Sequence, residues 1–401
     1  MKVLGIETSC DEGAAAVVED GNVLLSSVVA SSAKLQAQYG GVVPELAARS
    51  HIEVVNSVVQ QALDDAECGW DDIDAIAVTY GPGLGGSLLV GVLTARTLAI
   101  VHNKPLYAVN HVEAHVYSNF LTKVKGSRQA VTPTYNLPAA QPTFPLLALV
   151  VSGGHTQLVL FRDHHDYTLL GQTHDDAIGE AFDKVAKILG LPYPGGPGVE
   201  RLAREGDATA YHFPKARLAH ISPGLQALRD SKHKTREATI PHSAEPKATS
   251  PTSRLLPYAA THSYDFSFSG LKTAVLRAAQ QAVGADHTLP SKDLPQRLSE
   301  AHKANIAASF TRVAFETVVD KTLAAYAEFC PTSVVIAGGV AASPELRRQL
   351  SKRLPCPIEY TDARLCTDNA AMIATLGYFH AARQMPVANA YTLDIHPNLS
   401  M

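Results

Sequence analysis

Residues 146–161, LLALVVSGGHTQLVLF, decide the fold class. Six apolar residues run into a Gly-Gly turn and a second apolar run follows, so the stretch reads as two strands joined at a polar corner. The N-terminus, KVLGIETSCDEGAAAVVEDGNVLLSSVV (2–29), carries the same figure. Its apolar runs at 2–6 and 14–18 are joined by the polar segment 7–13, and Gly21-Asn22 turns the chain into a third run at 23–29. A meander with a polar first corner thus heads each half of the chain. Apolar residues at helical spacing mark 45–63, and helices are also expected at 87–101, from near residue 111, at 179–189, 272–283, 298–329 and 370–379. Buried strands are expected at 73–78, 106–109 and 333–337. This alternation is α/β. The duplication predicts two similar lobes, 1–121 and 122–401, with a ligand cleft between them and a last helix returning toward the first lobe.

Composition supports a large folded chain. Of 401 residues, 46% are hydrophobic and only 18% charged, which excludes a disordered or coiled-coil protein. A net charge of -4 gives no global basic footprint, so nucleic-acid binding requires a local patch or a partner. The cysteines (10, 68, 330, 356 and 366) are odd in number and none has CxxC spacing, which points to a reducing compartment. The N-terminal apolar run is too short for a signal peptide, and the stretch 84–101 is interrupted by Arg96. A cytoplasmic protein without a membrane span is expected. Two stretches, 123–145 and 220–262, read as insertions; the second holds six Lys/Arg against three acids and is either a solvated linker or an RNA-touching arm.

Three constellations carry chemistry. In His111-Val-Glu-Ala-His115 two imidazoles four residues apart share one helical face and can hold a metal. Glu113 is not at the zincin position, directly after the first His, so protease chemistry is not indicated. Asp368, in Cys-Thr-Asp-Asn-Ala (366–370), is the candidate third ligand; its other reading is a helix N-terminal cap. Two His and one carboxylate suit Fe(II), with Zn(II) a second occupant. Gly-containing turns follow strands at 81–87, 152–156, 194–198 and 337–343, where bare N–H groups can cradle anions. None is a P-loop or a dinucleotide fingerprint. Asp183, on the helix 179–189, either hydrogen-bonds ribose hydroxyls or pairs with Lys187.

Taken together, GIETSCDE (5–12), GGVVPELAARSH (40–51), GPGLGGSLLVG (81–91), NHVEAH (110–115), LVVSGGHTQL (149–158), GEAFDKVAKILGL (179–191), YPGGP (193–197), FSFSGLKTAV (266–275), AGGV (337–340) and CTDNAAMIA (366–374) resemble the TsaD family, the tRNA N6-adenosine threonylcarbamoyltransferases. The resemblance implies an actin/Hsp70/sugar-kinase fold, with RNase H-like lobes around a nucleotide cleft. It implies transfer of threonylcarbamoyl from threonylcarbamoyl-adenylate to N6 of the adenosine 3′ of the anticodon, in tRNAs reading ANN codons. It carries over His111, His115 and Asp368 as metal ligands, and Val150, Val151, Ser152, Gly153, Gly154 and His155 as the phosphate-side loop. It also carries over Asp183, Gly196 and Glu200 as ribose and adenine contacts. Ser343 stands where the family has Asn, which shortens that contact.

The chemistry needs a proton acceptor for a weakly nucleophilic exocyclic amine. Glu12 is the candidate, with Asp11 second, and Lys272 is a possible anion contact. The resemblance further implies a degenerate paralogue and a small ATPase as partners. A carbamoyltransferase on a small-molecule or protein acceptor is the rival activity. A nucleotide-bound regulatory protein and a kinase are further alternatives on the same fold.

Overall fold

The computed structural model describes residues 1–125, 135–216 and 264–401. The expected insertion at 220–262, and 126–134 of the one at 123–145, lie outside the described residues.

Strands β1 (Lys2–Glu7), β2 (Glu12–Glu19) and β3 (Val23–Ser31) form the first antiparallel meander. A short helix α1 (Ala33–Ala37) leads into α2 (Pro44–Asp65), which crosses to β4 (Ala75–Gly81), parallel to β1. Helix α3 (Gly85–Val101) then leads to β5 (Leu106–Asn110), parallel to β4. Helix α4 (His111–Tyr117) follows with no loop, and β6 (Lys123–Val124) pairs with β3. Among the described residues the first sheet runs β5-β4-β1-β2-β3-β6.

The second lobe repeats the figure. Strands β7 (Leu146–Val151), β8 (Thr156–Asp163) and β9 (Asp166–Gln172) form the meander, and β10 (Ser333–Ala337) lies parallel to β7 in the order β10-β7-β8-β9. Between β9 and β10 come α5 (Ile178–Leu189), α6 (Gly195–Ala203), α7 (Ser269–Ala282) and the long α8 (Glu300–Phe329). Helices α9 (Pro344–Arg353) and α10 (Ala370–Ala382) follow β10. Strand β9, α6 and α9 were not among the expected elements. Residues 194–198 read as a Gly turn, yet Gly195 to Gly198 form the first turn of α6.

Strand alternation sorts the side chains. Leu147, Leu149 and Val151 of β7 join the core under α5 and α8, while Leu146, Ala148 and Val150 face α4 and α10 in a second core. A third core packs the outer face of the first sheet on α2 and α3. Helices α4 and α10 therefore lie between the two sheets. Met372, Ile373 and Leu376 of α10 are fully buried, each contributing roughly 1.5–3 kcal/mol. Helix α10 approaches β1 so closely that a Cβ at Gly5 would overlap the Ala370 carbonyl.

The chain after α10 runs back along the first lobe. The Arg96 guanidinium donates to the carbonyls of Ala390, Leu393 and Tyr391, and the Gly83 N–H donates to the Pro397 carbonyl at 3.1 Å. Strand β6 adds to the first sheet through β3, and α10 packs on β1 of the first lobe as well as on Leu146, Ala148 and Val150 of the second. No helix among the described residues is long and apolar enough to cross a membrane.

Candidate metal centre and ligand cleft

The site begins where β5 becomes α4. Asn110 caps that helix, its Oδ1 accepting from the N–H groups of Val112 and Glu113 at 2.8 and 3.2 Å. This fixes His111 at the first helical position and His115 one turn on, with ring centroids 4.7 Å apart. Glu113 points elsewhere, accepting from His165 Nδ1 at 3.3 Å.

Asp368 arrives from the other end of the chain. It is not the cap of α10; Asn369 takes that role, accepting from Met372 N–H at 3.1 Å. The Asp368 carboxylate is left facing the histidines, its Oδ1 3.3 Å from His115 Nε2 and 3.6 Å from His111 Nε2. One ligand atom from each of the three residues lies within 4.8 Å of the others. Donors held about 2.0–2.2 Å from one tetrahedral ion stand roughly 3.4 Å apart, so the spacing fits a metal. Both nitrogens of buried His115 lack a hydrogen-bond partner, an expense that a bound cation removes at Nε2.

Charges respond to this crowding. Burial disfavours the Asp368 anion, but His111 and His115 outweigh it and hold its carboxyl well below the usual range. Burial pushes the pKa of His155 down to about 4, helped by the charges on His111 and His115. Glu12 goes the other way: burial, then the neighbouring Asp368 and Asp11 charges, raise it far above an ordinary carboxylate. While the Asp368 charge stands uncompensated, this field opposes the charged form of Glu12. Its Oε1 accepts from the Ser31 hydroxyl at 3.1 Å.

His111 and Asp368 open onto a cavity of about 760 Å³, which Asp11, Glu12 and Ser152 to His155 also line. The 152–155 turn is closed by Ser152 N–H on the His155 carbonyl at 2.8 Å and His155 N–H on Ser152 Oγ at 3.0 Å. A Cβ at Gly153 or Gly154 would meet nothing within 4 Å, so bare backbone faces the cleft. Val150 and Val151, at the end of β7, lead into this turn and are fully buried, in the cores on the strand's two faces.

A second chamber of about 540 Å³ shares Gly153, Asp183, Tyr193 and Gly339 with the first. Gly196, Glu200 and Ser343 line it. Asp183 lines both chambers; in place of an ion pair with Lys187, its Oδ1 accepts from Gly195 N–H at 2.7 Å and anchors the start of α6. Burial raises its pKa in spite of Lys187. Ser343 caps α9, accepting from Leu346 N–H at 3.2 Å, and hydrogen-bonds Glu200. Lys272 is not a cleft contact: its Nζ lies 3.1 Å from Asp176, which also pairs with Lys184. Sequence reading missed Tyr193, which borders both chambers, and Glu7, which lies behind His111. For Glu7 a signal was present, since a carboxylate ending an apolar strand must find a partner.

Two lobes with a β3-β2-β1-β4-β5 core and its partial copy, facing a cleft floored by bare amides, define the actin/Hsp70/sugar-kinase class. The profile of the family described as tRNA N6-adenosine threonylcarbamoyltransferase matches residues 23–375. Relatives bearing that name include a Thermomicrobium roseum protein, 44% identical over 100% of this chain and 97% of its own length. Another, from Caldicellulosiruptor saccharolyticus, is 41% identical over 100% and 98%. The chain belongs to the TsaD family and is a transferase. Among solved structures, component A of the Acidaminococcus fermentans (R)-2-hydroxyglutaryl-CoA dehydratase is 13% identical, with a TM-score of 0.44 over 95% of this chain and 99% of its own. The ROK hexokinase of Thermus thermophilus is 17% identical, with a TM-score of 0.40 over 95% and 100%.

Proposed function

We propose that the chain transfers a threonylcarbamoyl group from threonylcarbamoyl-adenylate to N6 of the adenosine 3′ of the anticodon in tRNAs reading ANN codons, releasing AMP. The observation that carries this reading is the His111–His115–Asp368 cluster opening onto one of two chambers joined at Asp183 and Tyr193. The joined space suits an adenylate whose nucleoside lies by Glu200 and Ser343 and whose acyl end lies by His111.

The adenylate is a mixed anhydride and already activated. The amine forms a C–N bond to the carbamoyl carbon, the carbon–oxygen bond to phosphate breaks, and AMP takes that electron pair. His111, His115 and Asp368 would hold a metal, Fe(II) by donor type with Zn(II) second, which supplies Lewis-acid polarisation of a donor oxygen. The bare amides of 152–155 face the departing phosphate. Glu12, with Asp11 as second candidate, receives the proton lost by the amine. That role requires the charge of Asp368 to be compensated, as it is when Asp368 serves as a ligand. The target adenosine lies in a single-stranded loop, so extruding it costs less than from a duplex.

Partners belong to the proposal. A degenerate paralogue and a small ATPase would supply binding surface that a chain of net charge -4 lacks. Helices α2 and α3 leave Ile52, Leu89, Leu93 and Val101 exposed, an apolar surface of the kind a subunit covers. The setting is the cytoplasm.

The test is a transfer assay with threonylcarbamoyl-adenylate and an unmodified ANN-decoding tRNA, read by mass spectrometry of the digested nucleosides. A threonylcarbamoyl-adenosine peak is expected, and it should vanish in His111→Ala. Consumption of adenylate without that peak, with partners present, would favour a carbamoyltransferase acting on a small-molecule or protein acceptor.

A further inference from the structure

Glu7 ends β1 with no exposed surface. A carboxylate removed from water must be matched by donors, and Glu7 has three. Oε1 accepts from Ser9 N–H at 2.5 Å. Oε2 accepts from the Thr79 hydroxyl at 2.5 Å and lies 3.1 Å from His111 Nδ1. Two of these partners are fixed by main chain: Ser9 sits in the β1–β2 turn and Thr79 in β4, next to β1 in the sheet. The carboxylate is therefore aimed before any ligand arrives.

We propose that Glu7 is a positioning residue for the metal ligand His111, accepting a hydrogen bond from Nδ1–H so that Nε2 is presented to the metal. The inference rests on the metal reading above. It also explains an asymmetry between the two histidines. His115 has no hydrogen-bond partner at either nitrogen, whereas His111 is held from behind by a buried anion. One rival exists within the cluster. Ser9 Oγ also lies 3.1 Å from His111 Nδ1 and could donate to it, which would leave Nε2 protonated and unable to bind. A carboxylate at the same nitrogen favours the opposite arrangement, with Nδ1–H donating.

Glutamine at position 7 breaks the arrangement specifically. Its one oxygen can accept from Ser9 N–H, which turns the amide NH₂ toward Nδ1. Two measurements test this on the full chain. The first is zinc affinity by competition with a chromophoric chelator; E7Q should bind about 10–100-fold more weakly than wild type. Equal affinities would overturn the proposal. The second reads the metal-free chain by NMR: wild type should show a downfield, slowly exchanging His111 Nδ1–H proton, which E7Q loses and Ser9→Ala retains. A merely structural role for Glu7 would not place that proton downfield. Its absence from wild type would overturn the proposal even if E7Q fails to fold. A His111 ring proton found on Nε2 and not on Nδ1 in wild type, and moved off Nε2 in Ser9→Ala, would hand the role to Ser9 and overturn the proposal. Failure of wild type to bind zinc, with the proton present, would instead count against the metal reading alone.

Discussion

Asn369, not Asp368, caps α10, and the neighbouring Asp368 is thereby free to stand 3.3 Å from His115 Nε2. Two adjacent polar residues divide structure and chemistry between them. Asn369 also donates through Nδ2 to the carbonyls of Leu365 and Thr367 at 3.0 and 2.7 Å, which fixes the turn that aims Asp368.

The division makes the two residues separable. Asp368→Asn should cut bound metal at least tenfold while shifting stability by less than about 1 kcal/mol, since the cap is untouched. Asn369→Ala should cost about 2 kcal/mol, because a cap and two buried hydrogen bonds go together. Metal analysis and urea melts of both variants check this; equal stability losses would contradict it.

His111→Ala and His115→Ala should each leave the chain folded, metal-poor and unable to transfer. Elemental analysis beside the transfer assay checks the pair. Full activity at near-zero metal content in either variant would remove the site from the mechanism.

Glycines 153 and 338 should behave oppositely. A Cβ at Gly153 enters open cleft, so Gly153→Val should melt like wild type yet weaken adenylate binding tenfold or more. Gly338 has φ of +88° and a Cβ there would overlap the Val151 carbonyl, so Gly338→Ala should lose several kcal/mol, on the order of 2–4. Thermal melts with adenylate titration separate the two.

Ser343→Ala should cost about 1 kcal/mol through the lost cap of α9 and raise KM for the adenylate a few-fold through the lost Glu200 contact. Ser343→Asn, which restores the family residue, keeps a capping side chain and should lower KM below wild type. An unchanged KM in both would detach Ser343 from the ligand.

Stability should fall on mild acidification. Burial, with Arg383, depresses the His164 pKa to about 4; burial, with His165, depresses that of His380 to about 3. Unfolded, both titrate near 6.5. Between pH 6.5 and about 3 the unfolded chain therefore takes up protons that the folded chain refuses, and stability drops as pH falls. Each full unit is worth about 1.4 kcal/mol, less a discount for solvent at these half-buried rings. Melts at pH 7 and 4.5 should differ, and His380→Phe should narrow the gap; a Tm independent of pH would be the contrary result.

Much of this was legible along the chain because apolar runs ended in glycine punctuation. Strands β7 and β10 fall on the expected residues, and the two meanders were visible as a repeat. Helix α9 escaped because only Leu346, Gln349 and Leu350 of its face are buried, too few to raise a period above its charges. Helix α6 escaped because two prolines and three glycines lie at its head, where a helix start tolerates residues that otherwise spell a turn. The juxtaposition of His111 and His115 was legible from spacing alone. The partner of Asp183 was not: Lys187 lies nearer in sequence, but the Gly195 amide is brought in by the fold of the intervening loop.

The closeness of α10 to Gly5 has a bearing on biosynthesis. Strand β1 leaves the ribosome long before α10, and until α10 follows, Val3, Ala14 and Ala16 lack the cover that Ala370 to Leu376 provide. A nascent chain stopped before residue 368 holds His111 and His115 without Asp368. It is at once a poor chelator and a molecule with an apolar sheet face bared to chaperones and proteases. Burial of the first sheet and arrival of Asp368 beside His111 and His115 thus wait on the same late segment of the chain.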